Sequence, residues 1–556
     1  MTKPLQQIGA ASSTAAPPVF KRKIALAPVL HALAASILIA TGSLHTPGLS
    51  AQTGADSSAL AAGSLPLLGD GSERTSGAER RLGDRIVREL YRDPDYLDDP
   101  VLSDYVQGIW QPLLAAARLR GDLTAELDER FAWQTLMGYD RSVNAFALPG
   151  GYFGLHLGLL AVVSSRDELA SVLGHELSHV TQRHVSRLIS KSNQQTPWMI
   201  GAMILGALAA SKSADAGSAL MVGGQALTAQ NQLNFSRDME READRLGFGV
   251  MTQAGFEPIG FVTMFDKLQQ AARLNDNGAY PYLRSHPLTT ERIADMQSRL
   301  PLGMPQGVVP TPTVLHAMMV ARARVLSNAG IDALRGWQGQ ADDPGLLTQP
   351  RAKQVAALYG ATMAASRLRD AALAQRNQQR LQTLVAGDRP ALQQARWLGI
   401  EIALAANDLA VAQALLTQAN GAAAQATDSA DRSPQRPALL LQAQVALKAG
   451  TDSALESAAQ GLQTWVSQQT QDALAWQSLA SIYAAQGQGL RALRAQAEAR
   501  VAQLDYPGAL DRLRAAQDYA AVASATSSSA RHIDASIIDT RRHQIELLLK
   551  EQAPDR

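Results

Sequence analysis

The chain has 556 residues, of which 46% are hydrophobic and 5% aromatic, with 51 basic side chains against 50 acidic ones. That length allows about two to four domains, each with an ample core. Near-neutral charge without a basic block argues against nucleic acid as a partner, and the absence of cysteine excludes disulfides, a thiol nucleophile and a cysteine zinc site.

Residues 1–51 read as an export signal behind a polar leader. Lys21, Arg22 and Lys23 form the positive region, and Ile24 to Ala40 is apolar apart from His31 and Ser36. Cleavage near Ser50 or Ala51 and an uncleaved membrane anchor both stay open, because the apolar run of about 17 residues is at the lower edge for spanning a bilayer. Either way the rest of the chain lies outside the cytoplasm. Residues 52–78 are rich in Gly, Ser and Ala and read as a flexible linker.

From Glu79 an apolar stripe of Leu82, Ile86, Val87, Leu90 and Tyr91 predicts an amphipathic helix. Val101 to Leu119 predicts another, kinked at Pro112. Alternation predicts strands over Glu129–Tyr139 and Ser142–Leu148. Pro149-Gly150-Gly151 then turns the chain into a paired strand over Tyr152–Leu157.

The stretch that organises this half is His175-Glu176-Leu177-Ser178-His179. Residues four apart share one helix face, so both imidazoles can reach one metal ion. Two imidazoles and a carboxylate suit catalytic Zn²⁺ with a fourth position left for water, and Glu176 sits beside that position as a general base. Apolar Leu169, Val172, Leu173, Leu177 and Val180 recur at helical spacing around the pair. His156 and His184 are left out of the ligand set, the latter because a continuing helix rotates it off the ligand face.

Trp198 to Ala210 is an apolar run too short to cross a bilayer, followed by Gly-rich Ala214–Gly224. A buried helix, a peripheral membrane contact and a cover over the cleft are its three readings. Phe235 to Gly247 then predicts a helix with Glu240 and Asp244 one turn apart. Glu240 can be the third ligand while Asp244 hydrogen-bonds a ligating His. The bland reading of that run is an exposed helix laced with ion pairs. His286-Pro287 lies in a loop ahead of a helix beginning near Thr290.

After Pro301 to Pro312 the sequence becomes Ala-, Leu- and Gln-rich and nearly free of strand signals. Trp476, Leu479, Ala480, Tyr483, Ala492 and Ala499 match the large/small spacing of a tetratricopeptide unit, and Leu398–Ala412 and Ala438–Ala454 read as degenerate copies. Gly421–Pro437 is a polar insert between those copies, and other pairs fit Val314–Ala386. Stacked pairs offer a surface for a partner protein; the plainer reading is a prop for the preceding domain. The tail ends in a short helix, a cap or a frayed end.

The fold expected is mainly α, an α+β zincin-like metallopeptidase domain with a small sheet followed by an all-α repeat solenoid. Its segments are a metallopeptidase domain over 79–310, repeats over 311–520 and a tail over 521–556. His-Glu-x-x-His with Glu-x-x-x-Asp, together with Asn144-Ala145-Phe146-Ala147-Leu148-Pro149-Gly150-Gly151 and Ser285-His286-Pro287-Leu288-Thr289-Thr290-Glu291-Arg292-Ile293, resembles the M48 family of zinc metallopeptidases, and its periplasmic branch in particular. The resemblance implies one Zn²⁺ per chain held by His175, His179 and Glu240, with Glu176 as base and Asp244 as the acid behind a ligand. It implies substrate backbone held along Asn144, Ala145, Phe146 and Ala147, where pattern alone fits an ordinary core hairpin equally well. It favours a regulatory role for His286. It further implies a periplasmic endopeptidase whose clients are unfolded or misassembled outer-membrane proteins, and whose repeats meet the β-barrel assembly machinery. A chaperone or scaffold with a silent protease is the rival expectation, and a non-proteolytic zinc hydrolase a third.

Overall fold

The computed structural model describes residues 75–191, 236–273, 279–301, 312–424, 435–523 and 529–552. The expected signal and linker up to residue 74, the Trp198–Ala210 run and the Gly-rich stretch after it lie outside these residues. Among the described residues no helix is long and apolar enough to cross a membrane. The described residues are mainly helical, with one small four-stranded sheet and many helices in the C-terminal half.

The first described helix, Ser76–Leu90, starts three positions ahead of the apolar stripe at Glu79 because the Thr75 hydroxyl caps the Ala78 amide. Helix Pro100–Arg120 follows, with Asp99 as its cap, Pro112 within it and Gly121 closing it in a left-handed conformation. The expected strand over Glu129–Tyr139 is corrected in its first half. Thr124 caps a short helix, Ala125–Arg130, whose first turn carries Glu126 and Asp128. The strand itself begins only at Gln134 and is β2, Gln134–Gly138.

β1 is Tyr96–Leu97, β3 Ala145–Leu148 and β4 Tyr152–His156, and the strand order is β1-β2-β4-β3. β3 and β4 are the expected antiparallel hairpin, with Ala145 opposite Leu155 and Leu148 opposite Tyr152. The hairpin partner β4 also pairs in parallel with β2. β3 is thus an edge strand. It begins later than Ser142 because the Asp140 carboxylate accepts the Ser142 amide at 2.8 Å and holds that residue in a turn.

Beyond the sheet lie the helices Arg166–Thr181, Arg237–Gln253 and Ile259–Arg273. The C-terminal half is a run of helix pairs. They include Val314–Ser327 with Arg351–Arg367, Arg389–Ala405 with Leu409–Ala424, Arg436–Ala449 with Asp452–Gln468, and Ala473–Ala485 with Gly489–Ala502. The tail helix is longer than expected, 24 residues over Ser529–Gln552, and buries Ile538 and Ile545 against Leu510 and Leu513. It is a packed element because its apolar residues recur on one face.

The composition break near residue 310 is not a break in packing. One hydrophobic core runs from Leu97 through Met318, Met319 and Val325 to Val445. Helix Val314–Ser327 is buried nearly all round, and His316 reaches back to the Tyr105 hydroxyl at 2.6 Å and the Val163 carbonyl at 3.1 Å. Arg322, 4% exposed, joins Asp99 at 2.7 Å to Glu401 at 2.8 Å. Later helices return as well: Arg436 pairs with Asp98 at 2.7 Å, and Leu504 packs with Leu82 and Tyr152.

Candidate metal centre

The helix Arg166–Thr181 is started by Ser165, whose hydroxyl accepts the Glu168 amide at 3.1 Å, while Glu168 accepts the Ser164 amide at 2.6 Å. This reciprocal cap fixes the helix end and sets the phase of His175 and His179 two turns on. The helix is buried from Glu168 to Thr181. Helix Arg237–Gln253 crosses it where two glycines face each other: a Cβ on Gly247 would stand 2.8 Å from the His175 amide nitrogen and 2.9 Å from the Gly174 carbonyl carbon. With hydrogens there, the two backbones touch, and Glu240 comes down beside both imidazoles.

His175 Nε2 and His179 Nε2 are 3.0 Å apart. Glu240 stands 3.5 Å from each of them, through Oε2 and Oε1 respectively. His286 Nδ1 is 3.3 Å from His175 Nε2 and 3.0 Å from Glu240 Oε1. All four ligand atoms lie within 4.8 Å of one another, and all four residues are buried. Around a tetrahedral zinc with bonds of about 2.0–2.1 Å, ligand atoms stand roughly 3.3 Å apart. The observed spacings cluster on that value, and every one of the four donors is buried. The donor set therefore fits a zinc ion.

Glu176 and Asp244 take the remaining sides. Glu176, 1% exposed, is 3.4 Å from His286 Nε2. Burial raises its carboxyl above the usual range, against the opposing pull of His286 and His175. Asp244 Oδ1 is 2.9 Å from His175 Nδ1, the nitrogen turned away from the centre. Burial lowers the His175 pKa, but Asp244 and Glu240 outweigh it and hold that imidazole at about 9. Burial, with His175 next to it, pushes His179 well below the ordinary value. For Glu240 burial acts upward, yet His286 and His175 hold the carboxylate well below its usual range.

Three residues at the site were not assigned roles from sequence. Arg292 grips Asp244 with two nitrogens at 2.6 and 2.7 Å, reaches Glu240 Oε2 at 2.9 Å and donates to the Pro287 carbonyl at 2.8 Å. The signal was there, since Arg292 stands six positions after His286 in a motif already singled out. Tyr282 packs its ring on His286 with centroids 4.7 Å apart. His184 meets His179 on the side away from the centre, at 2.9 Å. His156, by contrast, is held by the Ser142 hydroxyl at 2.9 Å. Neither His156 nor His184 belongs to the ligand group.

Of the strand residues, Asn144 and Ala145 are buried, and Phe146 lies across Gly154, where a Cβ would meet its ring at 2.0 Å. Just ahead of β3, the Val143 amide donates to the Ala279 carbonyl at 2.8 Å, and the Tyr282 amide donates to the Val143 carbonyl at 3.3 Å. Residues 279–282 thus tie to the backbone at Val143, and the short helix Tyr282–Ser285 leads on to His286.

Residues 119–300, which hold every one of these groups, match the family model Peptidase family M48. This stretch is an M48 peptidase domain. The chain is 32% identical over 244 residues to the beta-barrel assembly-enhancing protease of Escherichia coli, covering 43% of this chain and 47% of that protein. To a Vibrio cholerae protein given the same name provisionally it is 35% identical over 273 residues, 48% of this chain and 53% of the relative. The mitochondrial metalloendopeptidase OMA1 of Arabidopsis thaliana is 33% identical over 165 residues, 30% of this chain and 31% of its own. The chain spans about half the length of the first two relatives, and less of the third.

Proposed function

We propose that the protein is a zinc-dependent endopeptidase of the bacterial periplasm that acts on outer-membrane β-barrel proteins during their quality control or assembly. The observation that carries the reading is the tetrahedral spacing of His175, His179, Glu240 and His286 with Glu176 beside them. Zn²⁺ bound there would polarise a scissile carbonyl and the attacking water. Glu176 would accept that water's proton and hand it to the leaving amine, a task suited to a carboxyl whose pKa burial has raised. Asp244 and Arg292 would keep His175 and Glu240 aimed at the ion. The β3 edge, Ala145–Leu148, would hold substrate backbone by strand addition. The names of the bacterial relatives support the client class, and the helix pairs after residue 311 would recruit those clients.

The test uses the full chain with unfolded casein as a generic substrate. One zinc per chain and cleavage that a chelator abolishes and added Zn²⁺ restores are the results expected. A purified protein that holds zinc and never cleaves would leave the chaperone or scaffold reading in its place.

One observation bears on that rival. With His286 as a fourth ligand the tetrahedron is full, which is the pattern of a closed site rather than an open catalytic one. His286 thus acts as a latch, stiffened by Pro287 and packed against the Tyr282 ring, and residues 279–282 ahead of it hydrogen-bond Val143 just before β3. His286→Ala should therefore cleave casein faster than wild type with zinc still bound. A slower variant at equal zinc content would retire the latch and make His286 a stabiliser of the transition state.

A further inference from the structure

The two imidazoles of the His-Glu-x-x-His pair are braced differently. His175 Nδ1 rests against Asp244, a buried carboxylate gripped by Arg292. His179 Nδ1 instead lies 2.9 Å from His184 Nδ1, and His184 Nε2 is 3.0 Å from Glu242 Oε2. Arg187 closes the row, donating to the same Glu242 oxygen at 3.1 Å. His184 is 0% exposed, whereas the Glu242 side chain is 39% exposed, so the row runs from the buried centre to the surface.

A local distortion produces the arrangement. The helix Arg166–Thr181 ends at Gln182, and Arg183 takes φ = 53°, a left-handed conformation that non-glycine residues adopt at a cost. Glu79 holds Arg183 there through an ion pair of 3.1 Å. The chain then restarts as helix His184–Lys191, and its first side chain swings back over His179. The imidazole rings stand 4.9 Å apart at 77°, which is compatible with a nitrogen-to-nitrogen hydrogen bond.

The protons can be placed by elimination. For His179 Nε2 to present a lone pair to a metal, its proton must sit on Nδ1. His184 Nδ1 must then accept that proton's hydrogen bond, so the His184 proton sits on Nε2 and is donated to Glu242. A carboxylate at the far end stabilises this one tautomer of both rings and makes His179 a better donor.

We propose that His184 and Glu242 are positioning residues, which fix the tautomer and aim of His179 through a carboxylate–imidazole–imidazole row. The inference rests on the zinc reading of the centre. Zinc affinity of the full chain, measured by competition with a chromophoric chelator, tests it without reference to activity. His184→Phe, which fills the space but accepts nothing, should weaken zinc by about 10–100-fold. His184→Asn, whose Oδ1 replaces the accepting nitrogen, should recover most of that loss. Glu242→Gln should weaken zinc in the wild-type background and have no effect beside His184→Asn, where no Nε2 remains to carry it.

A merely structural role would not produce that last pattern. Equal losses from Glu242→Gln in both backgrounds, or wild-type affinity in His184→Phe, would overturn the proposal. Should His184→Phe fail to fold, the Asn and Gln variants carry the same decision. A wild-type chain that binds no zinc would instead overturn the reading of the centre itself.

Discussion

Glu176→Gln is expected to keep its zinc and its fold and to lose about 10²–10⁴-fold in the rate of casein cleavage. Gln has the shape of Glu and stays clear of the ligand atoms, so metal content should not move. What it lacks is a group that can take a proton. The environment of Glu176 makes that loss specific: its carboxyl is buried with His286 Nε2 3.4 Å away, and burial raises its pKa. A buried carboxyl whose pKa is raised is poised to exchange a proton. Removing its charge should leave the melting temperature unchanged or slightly higher, because burial penalises the charged form. The comparison is best repeated in the His286→Ala background, where the latch cannot mask a rate. Equal cleavage by Glu176→Gln with zinc bound, in that background, would show that the proton goes elsewhere.

The centre was legible because its parts repeat local geometry. Two His one turn apart, and Glu240 one turn before Asp244, need only the helical period to be placed on one face. The β3–β4 hairpin was legible from its Pro-Gly-Gly turn. What escaped depends on contacts or conformations that no local pattern encodes. His184 stays outside the ligand group, but the left-handed residue at Arg183 swings it behind His179, a contact that a continuous helix would not make. Arg292 was visible as a letter in a motif, but its bidentate grip on Asp244 exists only once two helices meet. That meeting depends in turn on Gly174 and Gly247, which read as ordinary helix glycines in sequence. Glu129 was drawn into a strand because the alternation after it is genuine, while the Thr124 cap that starts a helix lies outside the window.

The boundary at residue 310 shows the same limit, and it leads to the second large effect. Cutting the chain after Pro310 should unfold the zinc-binding half rather than release it, although Gly, Pro and polar residues mark a linker there. The cut removes helix Val314–Ser327, which supplies Met318, Met319 and Val325 to the common core. It also strands polar groups. Asp99, 7% exposed and the cap of helix Pro100–Arg120, loses both nitrogens of Arg322. Removing one partner of such a buried pair costs about 3–5 kcal/mol, a large part of a typical domain's stability of about 5–15 kcal/mol. The Tyr105 hydroxyl and the carbonyls of Val163 and Ala161 lose His316 and Arg324 as well. Shortening the chain after Ala424 instead keeps all of these, with Tyr359 at 3.2 Å and Glu401 at 2.9 Å still on Arg322. The expected result is a cooperative melt and zinc binding for the fragment ending at 424, and neither for the fragment ending at 310. A fragment ending at 310 that melts cooperatively and cleaves a short peptide would show that the later helices only recruit clients. The expected outcome would mean that the later helices and the metal centre share one core, so that a pull on the former strains the latter.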